Sequence, residues 1–267
     1  MHWFSTLNIA ALLVPAAAGS VAVPRQPTAS WVVNFDNARC VASRNYGTTE
    51  APLFLVLKAS PLGDVMQLAI LRQGNGGGAW TFDAKLQVDD QPVLSTSLLV
   101  YEPGKASLTI GRINLRTKEF APFRQAKRFA IWSPGLNETF ALSNMGPLLK
   151  TMDECLVGLR RLWNITDPTG DRSNLMARAK VSLGPYVNYS EFAATLYNLE
   201  LSDTFAFALL IDEAGKVADC TIIELSGLPV LDSQACGKME QQAKFKPAIG
   251  TDGKPAKDGV FSRIIRR

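Results

Sequence analysis

Two kinds of hydrophobic pattern divide the chain. From Trp31 to about Leu115, short apolar or alternating segments are separated by Gly, Pro and Asp, which is typical of antiparallel β-strands. The segment TFDAKLQVDD alternates, with Phe82, Ala84 and Leu86 on one face and charged or polar residues on the other. The pattern predicts a β-rich domain: a sandwich, a barrel or a curved antiparallel sheet.

The glycine-rich segment GNGGG, residues 74–78, lies between two of these predicted strands. A phosphate-binding loop would need a helix after it, so that amide groups and the helix N-terminus meet the anion. Because a strand follows instead, we expect a hairpin connection.

A helical period replaces the strand pattern in MGPLLKTMDECLVGLRRLWNI. Leu148, Met152, Cys155, Leu159 and Trp163 fall on one face, which predicts a helix that packs on the β-rich core and closes the domain. The polar, turn-rich TDPTGDRSN that follows is typical of a domain boundary.

The remaining chain predicts helix, strand, strand, helix and strand in that order. The hairpin turns between Asp212 and Gly215, Asp232 is expected to cap the second helix, FKPAIGTDGKPAKD is expected to be a loop, and GVFSRIIRR is the last strand. The predicted fold class is therefore α+β: an antiparallel β-rich domain closed by one helix, followed by a small domain with helices on one face of a three-stranded antiparallel sheet.

The N-terminus is an uncharged apolar run that ends in small residues, with cleavage points after Ala18 or Ala22. We interpret residues 1–22 as a signal peptide, which predicts a periplasmic protein; an uncleaved inner-membrane anchor facing the periplasm is the alternative, and only then is the membrane a partner. The predicted organisation continues with the β-rich domain at 28–165, a linker at 166–185 and the small domain at 186–267.

Histidine and cysteine content limits the chemistry. The one histidine, His2, lies in the predicted leader, so a mature chain would lack every histidine-based nucleophile, general base and metal ligand. We therefore expect no catalytic, cofactor-binding or metal site and no enzyme, although chemistry by carboxylates alone stays open. Basic residues are scattered without interleaved aromatic residues, so no nucleic-acid partner is expected.

Export favours disulfide bonds among Cys40, Cys155, Cys220 and Cys236, none of which are spaced as C-x-x-C. Four cysteines allow three pairings. A Cys40–Cys155 bridge would join an early strand to the closing helix of the β-rich domain.

Four short motifs carry a family resemblance. Residues 186–267 resemble the C-terminal domain of the TonB family, whose marks here are D-x-x-G-x-V (Asp212, Gly215, Val217), Ser226-Gly227, F-x-P-A (Phe245, Pro247, Ala248) and D-G-K-P (Asp252 to Pro255). The resemblance implies a periplasmic domain that binds outer-membrane receptors, with a receptor segment added as a strand beside the exposed sheet edge. In this fold Cys220 and Cys236 lie on a strand and on the helix that crosses it, which favours a second bridge.

Carried onto this chain, the candidate partner-binding edge is the last strand: Val260, Phe261, Ser262, Arg263, Ile264 and Ile265. The alternative is an ordinary terminal strand shielded by Arg263, Arg266 and Arg267. The chain departs from an energy transducer, because its apolar N-terminus holds no histidine within the apolar run and no Pro-rich segment follows. We therefore expect a periplasmic binding or adaptor protein with an envelope protein partner, with a membrane-anchored TonB-type transducer as the alternative.

Overall fold

A nine-stranded antiparallel sheet forms the N-terminal domain. The computed structural model describes residues 23–62, 65–74, 77–103, 107–166, 174–187 and 204–265. The strands follow the order β1-β2-β3-β4-β7-β6-β5-β8-β9. They are β1 (Val32–Phe35), β2 (Cys40–Asn45), β3 (Leu53–Ala59), β4 (Val65–Gln73), β5 (Ala79–Val88), β6 (Leu94–Tyr101), β7 (Leu108–Arg116), β8 (Arg128–Ser133) and β9 (Leu136–Ala141).

The sheet curls around its own core. The backbone of Arg25 pairs with β9 (Arg25 N to Thr139 O, 2.7 Å; Ala141 N to Arg25 O, 2.9 Å), and Thr28 N donates to Asn45 O at the end of β2 (3.0 Å). The segment before β1 therefore links the two sides of the sheet. As the alternation in β5 predicts, Ala84, Leu86 and Val88 are buried inside the curl.

Helix α2 (Met145–Leu162) covers one end of the curled sheet, as the sequence predicts. Its buried side chains, including Leu148 and Met152, join the domain core, and Trp163 just beyond its end is also buried. The sequence analysis did not predict the short helix α1 (Thr117–Phe120) and the 3-10 turn after it (Ala121–Gln125), which lie at the same end.

The glycine-rich segment is not a hairpin connection. β4 and β5, which it joins, are separated in the sheet by β7 and β6. Gly77 and Gly78 lie beside the indole of Trp80, where an added Cβ would come within 3.3 Å and 3.2 Å of the ring. The expectation failed because a pattern of strands and turns does not reveal which strands are neighbours.

The C-terminal unit is a second, smaller antiparallel sheet with the order β12-β11-β15. Its elements are β11 (Thr204–Ile211), β12 (Val217–Glu224), α3 (Pro229–Gln242) and β15 (Asp258–Ile265). Phe205, Phe207 and Leu209 share a buried cluster with Met239 of α3. The α+β fold class is thus confirmed. The first helix predicted for this domain, before β11, lies outside the described residues.

Two segments of this unit differ from expectation. FKPAIGTDGKPAKD contains β13 (Ala248–Gly250) and β14 (Pro255–Ala256), which form a small sheet with β10 (Leu175–Ala177). Part of the predicted linker, residues 166–185, packs in the core of the C-terminal unit. Its buried residues there are Ala179 and Leu183, and Val187 just after the predicted linker joins them. Short strands of two or three residues leave too little periodicity to be recognised in a sequence.

Asp232 does not cap α3. Pro229 begins the helix after Leu228, and Asp232 lies buried one turn in. Its Oδ1 accepts hydrogen bonds from Ser226 N and Ser226 Oγ, both 2.8 Å long. The side chain therefore fixes the chain between β12 and α3.

The N-terminal domain covers the face of the small sheet that α3 leaves bare. Ala208 and Leu210 pack there with Leu62, Trp163 and Ile165. Gly259 of β15 permits this approach, because an added Cβ would collide with Ile165. The central strand β11 is consequently buried on both faces.

Candidate functional site

The six predicted partner-binding residues all lie in β15. This strand pairs antiparallel with β11 along its length, from Asp258 opposite Ile211 to Ile265 opposite Thr204. Val260 and Ile264 are partly buried against the core on the α3 side. Phe261 is 46% exposed and lies on the opposite face with Arg263.

The outer side of β15 is anchored only at its beginning within the described residues. The buried carboxylate of Asp258 accepts hydrogen bonds from Arg178 Nε (2.7 Å) and Ala179 N (2.9 Å), and Gly259 O accepts one from Arg178 Nη2 (2.8 Å). Because backbone groups of alternate residues point to the same side of a strand, the N–H and C=O groups of Phe261 and Arg263 also point outward. In the described part of the chain, no strand pairs with them.

Arg263 does not shield this outer side. Its Nη2 lies 2.8 Å from Glu224 Oε1, so the guanidinium reaches back across the face of the sheet to β12. Its Cζ is 5.6 Å from the ring centre of Phe261, which gives a cation–π contact. Arg266 and Arg267, the other two predicted shields, lie outside the described residues.

The opposite edge, β12, is occupied by side chains. Cys220 N donates to Glu240 Oε1 (3.1 Å), and Cys220 O accepts from Lys58 Nζ (3.1 Å). Two residues further, Ile222 O accepts from Asn114 Nδ2 (2.9 Å). Backbone groups of alternate residues therefore also point outward along β12. Here, however, Glu240 of α3 and Lys58 and Asn114 of the N-terminal domain bind three of them.

A buried carboxylate organises this occupied edge. Asp219, whose side chain is 2% exposed, accepts from Arg39 Nε (2.6 Å) and Lys58 Nζ (2.7 Å), and Arg39 also pairs with Glu240 (3.2 Å). Burial lowers the pKa of Arg39, whereas the hydrogen bond to Asp219 and the charges of Asp219, Glu240 and Asp36 raise it, with a net increase. Four charged side chains from the two domains thus meet at one strand. They are far apart in sequence, so no local sequence pattern predicts the cluster.

Both cysteine pairs favoured by the sequence are joined. The Cα atoms are 6.1 Å apart in Cys40–Cys155 and 5.3 Å apart in Cys220–Cys236. The second bond ties β12 to α3. In the described residues no cluster of three or more His, Cys, Asp or Glu side chains could hold a metal ion, and none of the described helices is long and apolar enough to cross a membrane.

Comparison with known families identifies the smaller domain. Residues 188–260 match the family model of the Gram-negative bacterial TonB protein C-terminal domain. The C-terminal unit is a TonB C-terminal domain. The match ends within β15, at Val260, and leaves the N-terminal domain outside it. Curated proteins and solved structures give no significant match to the chain.

The match gives the resemblance seen in the sequence a firm basis. TonB C-terminal domains are non-enzymatic domains of protein interaction and transduction in the bacterial envelope. The match therefore indicates a TonB-like, periplasm-facing envelope protein that takes part in protein–protein interaction.

Proposed function

We propose that the protein is an exported periplasmic binding or adaptor protein whose TonB C-terminal domain binds a protein partner by β-augmentation at β15. An extended segment of an envelope protein, such as an outer-membrane receptor, adds as a strand beside Val260–Ile265. The N-terminal domain supports the sheet and performs no chemistry in this role.

The difference between the two sheet edges carries the proposal. A strand that adds to a sheet needs a row of unpaired N–H and C=O groups. β15 offers such groups at Phe261 and Arg263. On β12, Cys220 N, Cys220 O and Ile222 O are instead hydrogen-bonded to Glu240, Lys58 and Asn114 respectively. Only one side of the sheet is therefore suited to a partner strand.

The side chains of β15 add specificity to the backbone contacts. Phe261 exposes an apolar ring beside the edge, and the Arg263–Glu224 pair flanks it on the same face. A partner strand with an apolar side chain in register with Phe261 would bury that ring, while its backbone completes the ladder.

The predicted leader and the two disulfide bonds support the proposed periplasmic location. Disulfide bonds persist in the bacterial periplasm and are rare in the cytosol. Intact-mass measurement of the protein from its native envelope is expected to show loss of residues 1–22 and four oxidised cysteines. An intact N-terminus in the inner-membrane fraction would contradict export as a soluble protein and favour the anchored transducer.

Photo-cross-linking in the native cell tests the edge itself. We replace Phe261 with p-benzoylphenylalanine in the full-length protein, with the same substitution at Trp132 on the N-terminal domain as the control. We expect a discrete adduct with an envelope protein from position 261 and none from position 132.

A matched pair of variants then separates backbone from side chain. Arg263→Pro and Arg263→Ala both remove the guanidinium, but only proline removes the outward N–H, at an edge position where proline is tolerated. The adduct should vanish in Arg263→Pro and persist in Arg263→Ala. An adduct that survives both changes, or that arises equally from position 132, would refute β-augmentation at β15.

A further inference from the structure

A concave surface lies in the N-terminal domain, at the end of the curled sheet where β4 ends. The cleft has a volume of about 240 Å³. Trp80, Val100, Gly111 and Ile70 form a continuous row across four strands, with Trp80 opposite Val100, Val100 opposite Gly111 and Gly111 opposite Ile70. Helices α1 and α2 lie at the other end of the sheet, and α3 packs beside this end, on β5 and β6. Among the described residues, no helix contributes to the lining of the cleft.

The wall of the cleft is apolar and partly exposed. Ile70 and Leu136 are buried at its base, Phe82 and Val100 are half-buried, and Trp80 is 49% exposed. Gly111 keeps the concavity open, because a Cβ at this position would lie 3.2 Å from Leu98 Cδ1. Covering an exposed indole and the apolar hollow beneath it with a ligand is energetically favourable, because apolar surface is removed from water.

One cation stands at the rim. Arg72 follows Ile70 by two positions on β4, so the two side chains share the face that lines the cleft. It is half-buried, and within the described chain its guanidinium has neither a hydrogen-bond acceptor nor an ion pair. Glu102, just after β6, accepts a hydrogen bond from Thr109 Oγ1 (3.2 Å), and Thr109 lies opposite Arg72 on β7.

We propose that this cleft binds a small amphipathic carboxylate, with the carboxylate on Arg72 and the apolar part on Trp80 and Phe82. A guanidinium is matched to a carboxylate because it can donate two parallel hydrogen bonds. The cleft volume suits a short acyl chain or a single ring, since pockets for drug-sized ligands begin near roughly 300 Å³. The site lies in the other domain from β15 and stands independently of the proposed function.

Two ligands that differ in charge test the proposal on the full-length protein. Isothermal titration compares octanoate with octanamide, which has the same chain and a neutral head. We expect octanoate to bind roughly tenfold more tightly, as one partly exposed charge-assisted pair predicts. Equal affinities, or no heat from octanoate in the millimolar range, would overturn the proposal.

Variants of the rim and of the wall should act differently. Arg72→Gln should weaken octanoate to the level of octanamide and leave octanamide unchanged, whereas Arg72→Lys should retain part of the difference. Trp80→Ala should weaken both ligands. Arg161→Gln, which removes an exposed arginine of α2, is the control and should change neither affinity.

The pattern also excludes a trivial loss of folding, because an unfolded variant would lose both ligands together. Octanoate affinity that is unchanged in Arg72→Gln, or a fall that Arg161→Gln reproduces, would show that the carboxylate does not bind at this rim.

Discussion

Strands β12 and β15 flank the same central strand, β11. Within the described chain, the outward backbone groups of β15 at Phe261 and Arg263 have no partner strand, whereas side chains cover the outer side of β12. β12 carries the β-branched run Thr221, Ile222 and Ile223, and side chains bind its outward groups Cys220 N, Cys220 O and Ile222 O. β15 has a charged and an aromatic residue at its exposed positions. The strand with the stronger tendency to pair with another chain is thus the one that the fold covers.

This difference shows that the availability of an edge depends on tertiary contacts. An exposed edge is a template for unwanted pairing, and proteins protect such edges with charges or by covering them. Here Lys58, Gln67 and Asn114 of the N-terminal domain supply that cover for β12. The domain therefore directs a partner strand to β15.

Removing the buried carboxylate of the covered edge should have the largest effect. Asp219→Ala leaves Arg39 and Lys58 without their shared acceptor at the domain interface. Loss of one member of a buried ion pair is strongly destabilising, and we expect the free energy of unfolding to fall by about 3 kcal/mol in urea denaturation.

The matched change on the open edge is Arg263→Ala. Its ion pair with Glu224 is 43% exposed on the arginine side, so its loss should cost less than about 1 kcal/mol in the same assay. Similar losses from the two variants would contradict the distinction between a covered and an open edge.

A pH-dependent effect is expected just beyond β12. Burial raises the pKa of Asp232 to about 6, although hydrogen bonds from Ser226 and the charge of Arg112 oppose the rise. Because the folded protein then holds the proton more tightly than the unfolded chain, wild-type stability falls as the pH rises from about 4 to about 6.

Asp232→Asn removes this titration and keeps an acceptor for Ser226. Relative to the wild type, the variant should gain up to about 3 kcal/mol of unfolding free energy between about pH 3.5 and pH 7, measured by urea denaturation at each pH. A difference that stays constant with pH would show that Asp232 does not titrate in this range.

Local patterns were enough to predict much of the fold. The stripe on α2 depends on side chains within one helix, and the turn between β11 and β12 on Asp212, whose Oδ1 accepts from Ala214 N and Lys216 N. Gly215, with a φ of +81°, completes that turn. Such features can be predicted because they depend on contacts among a few residues that are neighbours in the sequence.

Features that join distant segments could not be predicted in this way. The crossing from β4 to β5 depends on strand order, and the contact between Lys58 and Asp219 spans 161 positions. The family resemblance located β15 as a candidate edge, but which of its backbone groups face outward followed only from the contact between Arg178 and Gly259.

Amide hydrogen exchange of the full-length protein, followed residue by residue by NMR, tests the difference between the edges most directly. The outward amides of Phe261 and Arg263 should exchange fast, while the inward amide of Ser262 and the outward amide of Cys220, which donates to Glu240, should be protected. Protection of Phe261 and Arg263 equal to that of Ser262 and Cys220 would mean that β15 is already covered, and would contradict the account.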